Sequence, residues 1–135
     1  MRSTAQTASA GQITQWARFG LIACALLFAA GAVAQVFLAG LSVFDSTNYW
    51  SNHVDLGRML GLPALLLPIL ALVGRVGIRI GVMALAVTVL YVLQMMLANL
   101  DSGTVAALHA VNALALIGSA VQVGTQTVNL VRSRA

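Results

Sequence analysis

The chain has no glutamate and no lysine, one cysteine and two prolines among 135 residues. Only 7% of its residues are charged, against about 25% in a soluble domain, which needs them to clothe its surface. A small soluble domain is therefore excluded. Cys24 stands alone, so an internal disulfide is excluded and redox compartment cannot be read from it. The three acids, Asp45, Asp55 and Asp101, lie at the ends of apolar runs. No carboxylate stands deep in a span, which argues against an acid-based proton or cation pathway. GxxxxGK(S/T), GxGxxG and CxxC are missing, as is any nucleophile with a nearby base. The reading leans away from an enzyme.

What is present is apolar: 60% of residues are hydrophobic and the mean hydropathy is +0.95. Uncharged runs cover Phe19–Phe44, Met59–Gly74, Ile80–Leu100 and Ser102–Val131. The second needs residues before Arg58 to reach spanning length. Runs of about 20 apolar residues read as transmembrane helices, because lipid offers no water to backbone polar groups. The expected fold is all-α, a four-helix transmembrane bundle with up-down-up-down topology and short connections around Arg75-Val76-Gly77 and Asp101-Ser102-Gly103. We expect a flexible tail over 1–17, a membrane domain over 18–131 and a short tail over 132–135, with helices at about 18–44, 53–74, 78–100 and 102–127. Asp101 or Ser102 is expected to cap the last helix. Pro63 and Pro68 each remove a backbone hydrogen bond and should kink or loosen the second.

The net charge of +4 is carried by scattered arginines rather than a basic face, so nucleic acid is not expected as a partner. Arg2, Arg18, Arg75, Arg79, Arg132 and Arg134 gather on one side of the expected bundle, and Arg58 with all three aspartates on the other. The positive-inside rule assigns the six-arginine side, with both termini, to the cytoplasm. Trp16 at one edge and Tyr49 with Trp50 at the other fit interfacial belts. Ala32-Val33-Ala34 suggests a signal-peptidase site and Leu21-Ile22-Ala23-Cys24 a lipoprotein box, but the apolar run continues to Phe44 and little precedes the cysteine. An uncleaved first helix is expected, with an organellar transit peptide as the alternative for the acid-free N-terminal stretch.

Polar residues inside spans are expensive and mark candidate sites. They are Gln35, then His53, Asp55 and Arg58, then Gln94 and Asn99, then His109 and Asn112. Thr88 and Ser119 can satisfy themselves on their own backbone. At about 1.5 Å per residue, His53 and His109 stand roughly 33 Å above the arginines at the far end, and Gln35 and Gln94 at roughly 22–26 Å. Two histidines at matching height on different helices are what a b-type haem needs as axial ligands. His53 and His109 are the candidate ligands, bound to metal only through the haem. Arg58, Gln35, Gln94 and Asn112 are candidate surrounding contacts, with Arg58 toward the propionates. Arg58 has a plainer role pairing with Asp55, and His109 with Asn112 reads equally as interhelical glue. A zinc or copper site lacks ligands, and Met59, Met83, Met95 and Met96 read as packing. Ala25, Ala29 and Ala32, and the Gly57/Gly61 pair, suit close helix contacts within the bundle or between protomers.

Gln35-Val36-Phe37-Leu38-Ala39-Gly40, His53-Val54-Asp55-Leu56-Gly57 and Leu108-His109-Ala110-Val111-Asn112 resemble an uncharacterised family of small four-helix bacterial membrane proteins, a domain of unknown function. The resemblance covers most of the chain from about Arg18 and implies no activity. The plan is also similar to four-helix cytochrome b anchors, but with histidines near the outer face only, enough for one haem. The expected protein is a multi-pass protein of the bacterial inner membrane. Its partners are the lipid bilayer and a membrane protein partner or a second copy of itself. The leading specific reading is a haem b redox subunit; the alternatives are a structural or assembly subunit and a binder of quinone or another small apolar ligand.

Overall fold

The computed structural model describes residues 2–100 and 102–133, with side chains from Gly11 onward. All regular structure among these residues is helical: α1 Arg2–Phe44, α2 Tyr49–Met59, α3 Gly61–Val73, α4 Ile78–Leu97, α5 Gly103–Ala106 and α6 Leu108–Arg132. Four stretches are long and apolar enough to cross a membrane: Gly11–Phe44, Tyr49–Val73, Ile78–Leu97 and Gly103–Arg132. Leu27, Phe37, Leu62, Leu72, Val89 and Leu114 are among the many large apolar side chains left exposed on the bundle surface. Water would not tolerate so continuous an apolar coat; lipid does. The fold is a four-helix membrane bundle.

Helix limits differ from the sequence reading. The first helix runs back to Arg2 through the segment expected as a tail, which holds no proline to stop it. The second begins at Tyr49, not 53, and the fourth continues to Arg132. Ser102 occupies the N-cap of α5, yet its side chain makes no capping hydrogen bond; Asp101, the other expected cap, lies outside the described residues. The step at Ala107 between α5 and α6 was not foreseen.

α1 packs on α2, α3 and α6, and α4 packs on α3 and α6. The spans thus sit at the corners of a square in chain order, with the second and fourth on one diagonal. Cross-links run in opposite senses along neighbours: Arg18 Nε donates to Gly74 O at one end of the first pair, while Gln35 Nε2 donates to His53 O toward the other. The turn from α3 to α4 needs Arg75 at φ 48° and Gly77 at φ 89°, and the latter conformation is open essentially to glycine alone.

The core is a column of Leu21, Ala25, Phe28, Ala64, Leu67, Ala84, Val87, Ala120 and Val123. Ala25, Ala29 and Ala32 are all buried, so the alanine stripe of α1 serves contacts inside the bundle. A Cβ on Gly124 would stand 3.6 Å from that of Ala25, which measures how closely α1 and α6 approach.

The second span is interrupted at Leu60, between α2 and α3. Pro63 has no N–H to offer the turn before it, and neither has Pro68. The carbonyl that Pro68 would have served, Ala64 O, instead accepts the Thr88 hydroxyl from α4 at 2.7 Å. Thr88 lies farther, 3.4 Å, from its own-helix acceptor Ala84 O, so its principal partner is the neighbouring helix and not its own backbone.

Candidate functional site

The polar side chains collect at the end of the bundle opposite the Arg75 turn. α2 begins there and presents His53 one turn in; α6 begins there and presents His109 as its second residue. Each imidazole is braced against the preceding span. His53 Nδ1 lies 3.0 Å from Gln35 O, and His109 Nδ1 lies 3.0 Å from Gln94 O. A carbonyl can only accept, so in both rings Nδ1 carries the proton and donates it. Neither Nε2 hydrogen-bonds to another described group.

The rings meet across the diagonal, with centroids 6.3 Å apart and planes inclined at 57°. Trp50, one turn before His53, stacks on the His53 ring at 5.0 Å and 18°. Both histidines are half-buried. At the i+4 position below each stands a small residue, Gly57 under His53 and Ala113 under His109, and the Gln35 side chain packs against Gly57, 3.5 Å from where a Cβ would stand.

The amides complete the frame. Gln35 Nε2 donates back to His53 O at 2.8 Å. Buried Asn112 donates from Nδ2 to Gln94 Oε1 at 2.6 Å and to Leu90 O at 2.8 Å. Tyr91, edge-on to Phe28, donates its hydroxyl to Gly57 O at 3.0 Å. No buried side-chain N or O among the described residues lacks a partner. The structure therefore brings together Gln35, His53, Gln94, His109 and Asn112. Gln35 and Gln94 stand beside the histidines, closer to them in height than counting residues from the arginines put them.

Arg58 is elsewhere. Five residues past His53 it faces away on the helix, with its guanidinium 3.8 Å from Asp55 and both side chains about 70% exposed. That is its plainer role. No group of three or more His, Cys, Asp or Glu side chains gathers among the described residues. A metal ion held by this pair would have to bring most of its donors with it.

Two features escaped sequence reasoning. Trp50 was read as an interfacial residue only, and the signal for its contact, one helical turn from His53, is weak. The other signal was legible: Gln35-x-x-Leu38-Ala39-x-Leu41 in the first span matches Gln94-x-x-Leu97-Ala98-x-Leu100 in the third. A histidine follows each glutamine, 18 and 15 residues on, and bonds to that glutamine's carbonyl. The two hairpins thus share one local pattern, a glutamine whose backbone carbonyl accepts from the histidine of the following span.

These features define a multi-pass helical membrane protein whose polar residues converge on two facing imidazoles. The chain belongs to the Family of unknown function (DUF6220), which matches residues 35–103, just over half of its length. The matched segment opens on Gln35 and includes His53 and Gln94. No curated protein and no solved structure matches the chain.

Proposed function

We propose that the protein is a one-haem redox subunit of the bacterial inner membrane, with His53 and His109 as axial ligands. The pairing of the two rings, with centroids 6.3 Å apart, carries this reading. His53 and His109 would hold the haem iron from two different spans, each with Nδ1 committed to a backbone carbonyl. Metal-binding histidines almost always donate their second ring N–H to a carbonyl or carboxylate, which sets tautomer and orientation; both histidines do so here. Two protein ligands with no third suit a porphyrin, which supplies its own four equatorial nitrogens. Bound haem would supply reversible one-electron transfer. Gln94 and Asn112 would hold the His109 side, and Gln35 the His53 side. The arginine asymmetry favours cytoplasmic termini, putting the site near the outer face, where it would meet a membrane-embedded electron carrier or partner.

A second reading draws on the same hydrogen bonds. Each histidine already ties one span to the next, and such bonds stabilise bundles without any ligand. Visible spectra of detergent-purified protein, made with ample haem supply, separate the two. Haem ligation predicts a Soret band and a sharpened α-band on dithionite reduction, lost in both His53→Ala and His109→Ala while helicity persists. A colourless, folded wild-type protein overturns the haem reading and leaves the histidines as packing residues.

A further inference from the structure

We infer that the opposite end of the bundle binds the headgroup of an anionic phospholipid in the cleft between α4 and α6. An open cavity of about 540 Å³ lies there, walled by Arg79, Gln126 and Asn129 with Val76, Ile80 and Leu130. Its lining divides by chemistry: the Arg79 cation and the Asn129 amide can donate to phosphate oxygens, Gln126 gives one N–H to Met83 Sδ at 3.3 Å and keeps the other, and the aliphatic side chains suit glycerol and the first acyl carbons. The charge around it is of one sign. The acids among the described residues, Asp45 and Asp55, both stand at the far end of the spans, so no described carboxylate pairs with Arg75, Arg79 or Arg132. Arg132 lies three residues beyond Asn129, on the same face of α6. The first turn of α4, which forms one lip, holds no acid and no side-chain cap. Arg18 is not part of the site, since its guanidinium is committed to Gly74 O across the bundle.

A basic cleft between transmembrane helices at the headgroup level is a recognised way of holding anionic lipid. The arginine side chain matches a phosphodiester with paired N–H donors, whereas a zwitterionic lipid adds a cation that this acid-free cleft repels. The exposed aliphatic coat of α4 and α6 below the cleft would carry the acyl chains.

The test is a lipid titration of the full-length protein in a neutral detergent, read by native mass spectrometry. Phosphatidylglycerol should bind in preference to phosphatidylcholine. Arg79→Gln should weaken it about fivefold, the equivalent of about 1 kcal/mol for one arginine near the surface, while Arg79→Lys keeps most of the affinity. Arg58→Gln, at the other end, should change nothing. Should Arg79→Gln fail to fold, Asn129→Leu provides the second test, with a weaker loss of the same preference. Equal binding of the two lipids overturns the proposal, as does a preference untouched by both Arg79→Gln and Asn129→Leu. Displacement of the lipid by inorganic phosphate alone overturns the lipid as occupant and assigns the cleft to a free anion.

Discussion

Thr88 repairs a backbone defect on another helix. Its hydroxyl donates at 2.7 Å to Ala64 O, the carbonyl that Pro68, four residues on, has no N–H to serve. In lipid such a carbonyl finds no water, and a neighbouring Ser or Thr is one of the few groups that can satisfy it. Proline is thereby tolerated in the second span because the third supplies the missing donor.

Thr88→Val should destabilise the bundle by about 0.6–1.7 kcal/mol, the range for hydrogen bonds between membrane helices, and Thr88→Ser by less. In a Pro68→Ala background, where a helical N–H is restored to Ala64 O, the same Thr88→Val change should cost little. Denaturant or thermal unfolding in detergent, read as a double-mutant cycle, checks this. Equal costs in both backgrounds would refute the repair.

Gly31 faces Leu60 at the break in the second span. A Cβ on Gly31 would lie 2.5 Å from Leu60 Cδ2 and 3.3 Å from Cδ1, and Leu60 is buried. Gly31→Ala should cost about 1–3 kcal/mol through overpacking. Adding Leu60→Val should recover part of that loss, so the two changes together cost less than their sum in thermal unfolding.

Asn112 holds the His109 half of the site by serving Gln94 Oε1 and Leu90 O together. Asn112→Leu leaves the amide oxygen without this donor and frees the Gln94 side chain. The expected cost is about 1–3 kcal/mol. If haem is bound, its α-band should also broaden or shift as the His109 ring loses its support, whereas a purely structural role would move stability alone.

Arg58 and Asp55 form an exposed pair at 3.8 Å. Arg58→Gln should change stability by no more than about 0.5 kcal/mol and leave any haem spectrum unaltered. A spectral change would return Arg58 to the neighbourhood of the propionates.

Much of the site was legible in composition. Gln35, His53, Gln94, His109 and Asn112 stand out because polar side chains are rare in apolar spans, and all five do converge. Arg58 was legible only as an ambiguity. Residues three apart on a helix meet, so Asp55 was always a competing partner, and only the helix's rotation resolves which face the guanidinium takes. Thr88 keeps the own-helix bond its position allows, and its shorter bond to Ala64 O was not legible for a related reason. A hydroxyl can bond to its own backbone in any helix, and the stronger acceptor appears only when another helix brings an orphaned carbonyl alongside.

By itself the sequence determined that this is a four-span membrane protein and that its charge is divided between two ends. Those properties are local: span length and hydropathy follow from the lipid's demand that every backbone group be satisfied within its own helix. Tertiary structure decided that His53 and His109 face one another across the diagonal, that both rings donate Nδ1 to glutamine carbonyls, and that Arg79, Gln126 and Asn129 share a cleft. Those relationships depend on how each helix is rotated and where it breaks. Rotation is set by side-chain packing between segments far apart in the chain, and no single segment carries that information.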